Sequence, residues 1–362
     1  MRNLLTDVAG IAVGHATDLT VGTGATAILF DDGATASGVI LGGAPGSRDT
    51  ALLEPEMTQQ KVNAFVLSGG SIYGLDAAGG VQAWLREQDR GMRLRGMLIP
   101  IVPQAILFDL LNGGDKGWGR FSPYRDLGYE AAAATTHGDF ALGSVGAGTG
   151  ATTATVKGGI GSASVRMAEG YTVAAIVAVY AVGTATLGDG PHFWAAPYEV
   201  AAEFGGLGMP QHLAPGDLAP RLKGLPPPAS ATTIGLIATD AALTKAQCKR
   251  LAIMANDGLA RAILPAHAPA DGDTVFSAAT GAVPLADEFD LTLIGHAATL
   301  VFARAIARGV YEATALPHPP SVLSWKDRFA RQYRLSAARS GRGNSGTRAG
   351  SRWGPSRRSC RR

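Results

Sequence analysis

A proline triplet, Pro226-Pro227-Pro228, runs almost directly into a stretch of β-branched and small apolar residues, Thr232-Thr233-Ile234-Gly235-Leu236-Ile237-Ala238-Thr239-Asp240. Proline locks φ and has no N–H to donate, so neither a helix nor a central strand passes through the triplet. Whatever follows must begin afresh, and its length and composition predict a buried strand. That strand opens on two hydroxyl residues, Thr232 and Thr233. Two readings fit the opening. Threonine is a good strand former, so the pair can simply start the strand. A hydroxyl at the mouth of a buried strand is equally a place to carry a nucleophile on rigid backbone.

The bulk numbers narrow the class. A chain of 362 residues that is 46% apolar can bury a large core, as one big domain or two small ones. Forty-nine glycines and few aromatics suit a compact α/β protein with many tight turns. The net charge of +3 hides an asymmetry: residues 331–362 hold ten arginines and no acidic residue, so the first 330 carry −7. An acidic body gives no support for a nucleic-acid footprint. Cys248 and Cys360 suggest neither a disulfide framework nor a metal cluster. The start of the chain lacks an apolar signal core and no run of about 18 apolar residues occurs. A cytoplasmic protein with no membrane partner is expected.

Along the chain, Thr26–Phe30 and Ser37–Leu41 read as strands separated by turn chemistry at Asp31-Asp32-Gly33. His15 has no partner in sequence and reads as structural. Asn63–Ala78 is a strand, a glycine turn and a helix start. It is no nucleophile elbow, because Tyr73 stands where G-x-S-x-G needs glycine. Gly143–Ala151 contains a weak G-x-G-x-x-A match, but β-branched residues rather than a helix follow it, which argues against a nucleotide. Lys157, the only lysine between Lys116 and Lys223, is either solvent-facing or held in a pocket to meet a negative charge. Tyr171–Tyr180 reads as a strand. Leu243–Leu264 reads as a helix capped by Thr244 and stopped by Pro265. Asp271-Gly272-Asp273 is a hairpin turn or a cation loop, although two carboxylates are too few for calcium. Leu291–Thr314 reads as a closing helix with His296 packed in it. From about Arg331 the Arg/Ser/Gly composition cannot bury a core and predicts a disordered tail.

Two stretches, SATTIGLIATDAALTKAQCKRLA and ADGDTVFSAATG, carry a family likeness. From about Asp7 to Phe329 the chain resembles the DmpA-type L-aminopeptidase/D-esterase family, which includes the nylon-oligomer endo-hydrolases. The resemblance implies an α/β fold of four layers, an αββα sandwich of the N-terminal-nucleophile type, over residues 1–330. It implies self-cleavage between Ala231 and Thr232, giving an α chain 1–231 and a β chain from 232, with Thr232 as nucleophile. Lys157, Asp271 and Asp273 match the family's active-site positions, with the carboxylates holding the new amine and the lysine in place. Gly146 and Gly148 fall in the glycine-rich segment whose N–H groups would meet an oxyanion, and Phe108 and Thr233 would contact substrate. Two positions depart from the pattern. Phe108 stands where the nylon-hydrolase branch has a tyrosine, and Tyr180 where the family has an asparagine suited to donating to an oxyanion.

The chemistry implied is amide hydrolysis of short peptides or amino-acid amides, without metal or cofactor. Cleavage of 6-aminohexanoate oligomers, acyl transfer like that of ornithine acetyltransferases, and an inactive binding homologue are the alternatives. A homo-oligomer, tetramer or larger, is also implied.

Overall fold

The computed structural model describes residues 1–224, 231–319 and 322–329. The proline triplet and the arginine-rich tail lie outside these residues, and so do the expectations that fall on them. Eleven strands are described: β1 (Ile11–Asp18), β2 (Thr23–Ile40), β3 (Ser47–Arg48), β4 (Lys61–Ser68), β5 (Met92–Leu94), β6 (Met97–Ile99), β7 (Gln104–Ile106), β8 (Ile160–Arg166), β9 (Thr172–Tyr180), β10 (Thr232–Ala241) and β11 (Thr274–Val283). The helices are α1 (Ser71–Gly74), α2 (Ala77–Glu87), α3 (Tyr124–Ala133), α4 (Lys245–Ala262) and α5 (Asp290–Tyr311).

One strand, β2, joins two sheets. Its first half pairs with β1 on one edge and β4 on the other, and its second half pairs with β11. The two strands expected around Asp31-Asp32-Gly33 are therefore one. The turn residues form a bulge instead, where the register with β4 shifts between Leu29 and Ala34 and Gly33 takes φ +69°. The chain of pairings runs β3-β7-β4-β2-β11-β10-β9-β8, with β1 added on β2. Ile28, Phe30, Phe65 and Leu67 from one half pack against Ile176, Ile234, Leu236 and Phe276 from the other.

The outer faces carry the helices. Val173, Val177 and Ile237 pack with Leu251, Leu259, Phe302 and Ile306 of α4 and α5. On the opposite side, Ala27, Leu29 and Val66 meet Val81, Leu85 and Leu127 of α2 and α3. The result is the four-layer αββα sandwich. The helix cap anticipated at Thr244 is present: its Oγ1 accepts from Gln247 N at 3.2 Å, and Gln247 Oε1 accepts from Thr244 N at 2.8 Å. His296, expected to pack within the last helix, is exposed, because it faces away from the sheet. By length and composition α5 could cross a membrane, but its apolar residues are largely buried against β8, β9 and α4.

Side chains alternate across each strand. In β9 the odd residues Val173 to Val179 face the helices and the even residues Ala174 to Tyr180 face the space between the sheets. In β10 Ile234 and Leu236 face the same inner space. Thr232 therefore points inward and Thr233 outward.

Phe276 is the main strut of that inner layer, stacked on Phe65 at 4.5 Å between ring centroids, while Phe65 meets Phe30 edge-on at 6.1 Å. Phe276→Ala is expected to cost about 3–5 kcal/mol of stability. Urea unfolding would read this as a lower midpoint, with Phe276→Leu much closer to the parent.

Candidate active site

Thr232 begins β10 with only 3% of its surface exposed. It lines a cavity of about 330 Å³ together with Ala44, Gly46, Ser71, Ile106 and Phe108. The carbonyl before it is held from two directions. Ala231 O accepts from Gly272 N at 2.9 Å and also from the Thr232 hydroxyl itself. A Cβ added at Gly272 would lie 2.7 Å from Thr232 Oγ1, closer than a side chain can come. The glycine between the two aspartates is thus required by space. Across the sheet, Thr232 stands opposite Tyr180 in the antiparallel register of β9 and β10. Directly opposed residues hold their Cβ atoms about 4.5–5.5 Å apart, so Tyr180 is the nucleophile candidate's neighbour.

The two carboxylates of the Asp-Gly-Asp turn divide their work. Asp273 Oδ1 accepts from Thr233 N at 2.7 Å, and its Oδ2 accepts from the His267 N–H at 2.9 Å and lies 2.9 Å from His267 Nδ1. It clamps the backbone just after Thr232. Asp271 Oδ2 accepts from Ala268 N at 3.0 Å, whereas Oδ1 is buried without a well-formed hydrogen bond. Burial, and then the charge of Asp273, push the Asp271 carboxyl up to about 6.

Lys157 is buried and donates to the carbonyls of Gly148 at 3.1 Å and Gly158 at 3.0 Å. Burial pulls its ammonium down to about 7, against the opposing pull of Asp109. Asp109 is fully buried, accepting from Thr23 Oγ1 and from Gly70 N, each at 2.7 Å, and burial raises its carboxyl above the ordinary range. The Asp109 charge is felt by Tyr180 as well. Among the described residues, no cluster of three or more His, Cys, Asp or Glu side chains is placed to hold a metal ion.

The structure therefore brings Ala231, Thr232, Tyr180, Phe108, Lys157, Asp271 and Asp273 to one end of the inner layer, and corrects several details. Neither Asp271 nor Asp273 bonds to Lys157; two carbonyls hold it, and Asp109 supplies the charge. Gly146 and Gly148 do not present free N–H groups. Gly146 N donates to Thr17 Oγ1 at 2.8 Å and Gly148 N to Val145 O at 2.9 Å. Their short 3-10 turn instead aims the Gly148 carbonyl at Lys157. Thr233 lies on the far face of β10, fully buried, and cannot touch a substrate in the cavity. Asp109, Gly272, His267 and Lys223 went unrecognised. Asp109 directly follows Phe108, and Gly272 sits inside the Asp-Gly-Asp motif, so adjacency is the signal the sequence carries for both.

Comparisons with known proteins address the family and the fold. Residues 3–320 match peptidase family S58. An uncharacterized aminopeptidase of Mycobacterium tuberculosis is 41% identical over 348 residues, covering 90% of this chain and 98% of the relative. One from Mycobacterium leprae is 39% identical over 347 residues, covering 88% and 93%. Among solved structures, a β-aminopeptidase of Burkholderia sp. superposes with a TM-score of 0.69 at 22% identity, over 94% of each chain. The L-aminopeptidase D-Ala-esterase/amidase from Ochrobactrum anthropi, described as a variant of the Ntn hydrolase fold, gives 0.68 at 20% identity, over 93% of this chain and 95% of its own.

The raised carboxyl of Asp271 makes stability depend on pH. The folded chain holds that proton more tightly than the unfolded chain does, so the group favours folding below its unfolded value, about 4. That advantage disappears as pH rises through about 6. The parent should therefore lose stability relative to Asp271→Asn between these values, by roughly 2–3 kcal/mol. Urea titrations of both proteins, each carrying Thr232→Ala, measure the difference. A flat difference across that range would refute the assignment.

Proposed function

The chain belongs to peptidase family S58, and we propose that it cuts its own backbone before Thr232 and then uses that residue to hydrolyse amide bonds at the amino end of short peptides or amino-acid amides. The observation that carries this reading is the grip on the Ala231 carbonyl. The scissile carbonyl oxygen already accepts a backbone N–H from Gly272 at 2.9 Å, and the hydroxyl that must attack lies against the same group. A donor aimed at an oxygen that gains charge is the principal electrostatic aid to acyl transfer.

Self-cleavage then proceeds in balanced steps. Thr232 Oγ1 attacks the Ala231 carbonyl carbon, and the resulting oxyanion stays on the Gly272 N–H. The C–N bond breaks as the Thr232 nitrogen takes a proton, leaving an ester between Ala231 and the threonine oxygen. Water hydrolyses that ester, releasing the Ala231 carboxylate and a free threonine hydroxyl and amine. Before the cut no α-amine exists to accept the hydroxyl proton. Lys157, pulled to about 7 by burial and placed beside the Val179–Tyr180 end of β9, is suited to accept it.

After the cut, the α-amino group of Thr232 becomes the nearest base, with a reference pKa of about 7.7–8.0. The Gly272 N–H, released from Ala231, is free to receive a substrate carbonyl in the same place. The half-buried Phe108 ring and Ile106 line the cavity wall, and Asp273 keeps the strand mouth rigid through Thr233 and His267.

N-terminal sequencing of the purified protein should find a second chain beginning at Thr232, and Thr232→Ala should show one uncut chain with no hydrolysis. An uncut parent that hydrolyses peptides normally would overturn the reading. Gly272→Ala should slow self-cleavage roughly tenfold or more, because its methyl displaces the attacking oxygen. In that slowed background, fragment formation should rise with pH and level off above about 7, as Lys157 loses its proton. Lys157→Arg, which stays charged, should arrest it.

A further inference from the structure

Three polar side chains of β1 and β2 face the inner layer and take no part in the steps at Thr232. In β1, Ile11 and Val13 face the space between the sheets, and strand alternation sends His15 and Thr17 the same way. In β2, Thr26 shares that face with Ile28 and Phe30, and it is the partner of His15 in the antiparallel register. All three converge on the Gly146–Gly148 turn. Gly146 N donates to Thr17 Oγ1 at 2.8 Å, and Ala147 N donates to Thr26 Oγ1 at 3.1 Å. These are leading N–H groups of a 3-10 turn, which holds no acceptor of its own for them. Gly146 takes φ +51°, and a Cβ there would lie 2.3 Å from Thr26 Oγ1 and 2.6 Å from His15 Nδ1. The turn seats against these side chains only because it begins with glycine.

We propose that His15, Thr17 and Thr26 are positioning residues for the reaction, fixing the Gly146–Gly148 turn and, through the Gly148 carbonyl, the amine of Lys157. The catalytic meaning of this rests on the reading of Lys157 as the group that accepts the Thr232 proton. Lys157 Nζ donates to Gly148 O at 3.1 Å, so any shift of the turn moves that acceptor directly. The hydrogen bonds behind the turn have a direction. Thr26 Oγ1 accepts from Ala147 N, and its hydroxyl proton has one acceptor among the described residues, His15 Nδ1 at 2.9 Å. The ring proton therefore sits on Nε2, which is buried without a well-formed hydrogen bond. Burial pulls the imidazole down to about 4, against a weaker pull from the Ala141 backbone, so above that value the ring is neutral and Nδ1 stays an acceptor. A histidinium would carry a proton on Nδ1 and turn the Thr26 hydroxyl away.

The test reads the Lys157 amine itself, by pH titration of its Cε signal in NMR spectra of protein carrying Thr232→Ala, with Lys157→Arg identifying the signal. The parent midpoint should lie at about 7. Thr26→Val keeps the shape and removes the hydroxyl. The ammonium then loses part of its hold on Gly148 O, and the midpoint should fall by about half a pH unit or more. Thr17→Val and His15→Leu should move it the same way. Thr26→Ser restores a hydroxyl and His15→Asn an acceptor, and both should bring it most of the way back. A merely structural role would lower the melting temperature and leave the midpoint alone. Val81→Ala, in the α2 layer beyond the sheet, is the control for that case. The charges that act on or feel Lys157 are Asp109 and Lys223, and their own hydrogen bonds run to Thr23, Gly70, Val182 and Thr152 instead. In the Gly272→Ala background, Thr26→Val should shift the rise of self-cleavage to lower pH by the same amount and drop its plateau roughly tenfold, since the base is displaced. An unchanged midpoint in folded Thr26→Val and His15→Leu would overturn the proposal. Normal cutting by Lys157→Arg would sink the base reading alone, and the midpoint shift would still support the contact chain.

Discussion

The hydrogen bond from Gly272 N–H to the Ala231 carbonyl depends on a parallel strand pair closing at its mouth. β10 is bound along one edge by β9 and along the other by β11, so its first residue has little freedom. The bridge between Ala231 and Asp271 lies three residues before the first regular pair, Ile234 with Thr274, and it delivers the Gly272 N–H to the carbonyl. Helix α4 makes that geometry available, because it is the crossover that parallel neighbours require. Asp273 then fastens the next residue, Thr233, from the same turn. A hydroxyl, a carbonyl and a donor are thereby aligned by backbone pairing rather than by flexible side chains.

Desolvation shapes the charges around this mouth. Lys157, Asp109 and Asp271 are all buried, and for each of them burial outweighs the favourable partners nearby. The lysine moves down and the carboxyls move up, so the charged forms become less dominant near neutrality. Groups shifted this way are suited to exchanging protons, which a surface ion pair is not. Lys157 is held by carbonyl oxygens rather than by a carboxylate, and this arrangement positions the amine without locking its charge. Tyr180 adds an aromatic wall, and the amino head of Lys223 rests on it.

Much of this was legible because it depends on local periodicity. The β-branched run after the prolines, the capped helix at Thr244 and the alternating residues of β9 each announce their element through spacing or a specific side chain. The bulge in β2 was not legible, since Asp31-Asp32-Gly33 suits a turn as well as it suits a kink in a continuous strand. Only pairing with β4 and β11 decides between them. Thr233 shows the same limit at the site. It is chemically the twin of Thr232, and the one-residue alternation of a strand sends it to the opposite face.

The sequence by itself determined that a buried strand starts at Thr232, that a glycine lies between two carboxylates about forty residues later, and that the chain follows the peptidase family's pattern almost throughout. Those features are carried by neighbouring residues, and local chemistry suffices to recognise them. Tertiary structure alone decided which groups meet. Asp109 lies 48 residues before Lys157 and Lys223 lies 43 after Tyr180, so no spacing rule connects either pair. They come together because β9, β10 and the turns around them converge on one end of the inner layer. Burial there changes what each charge is worth, and burial is a property of the folded chain.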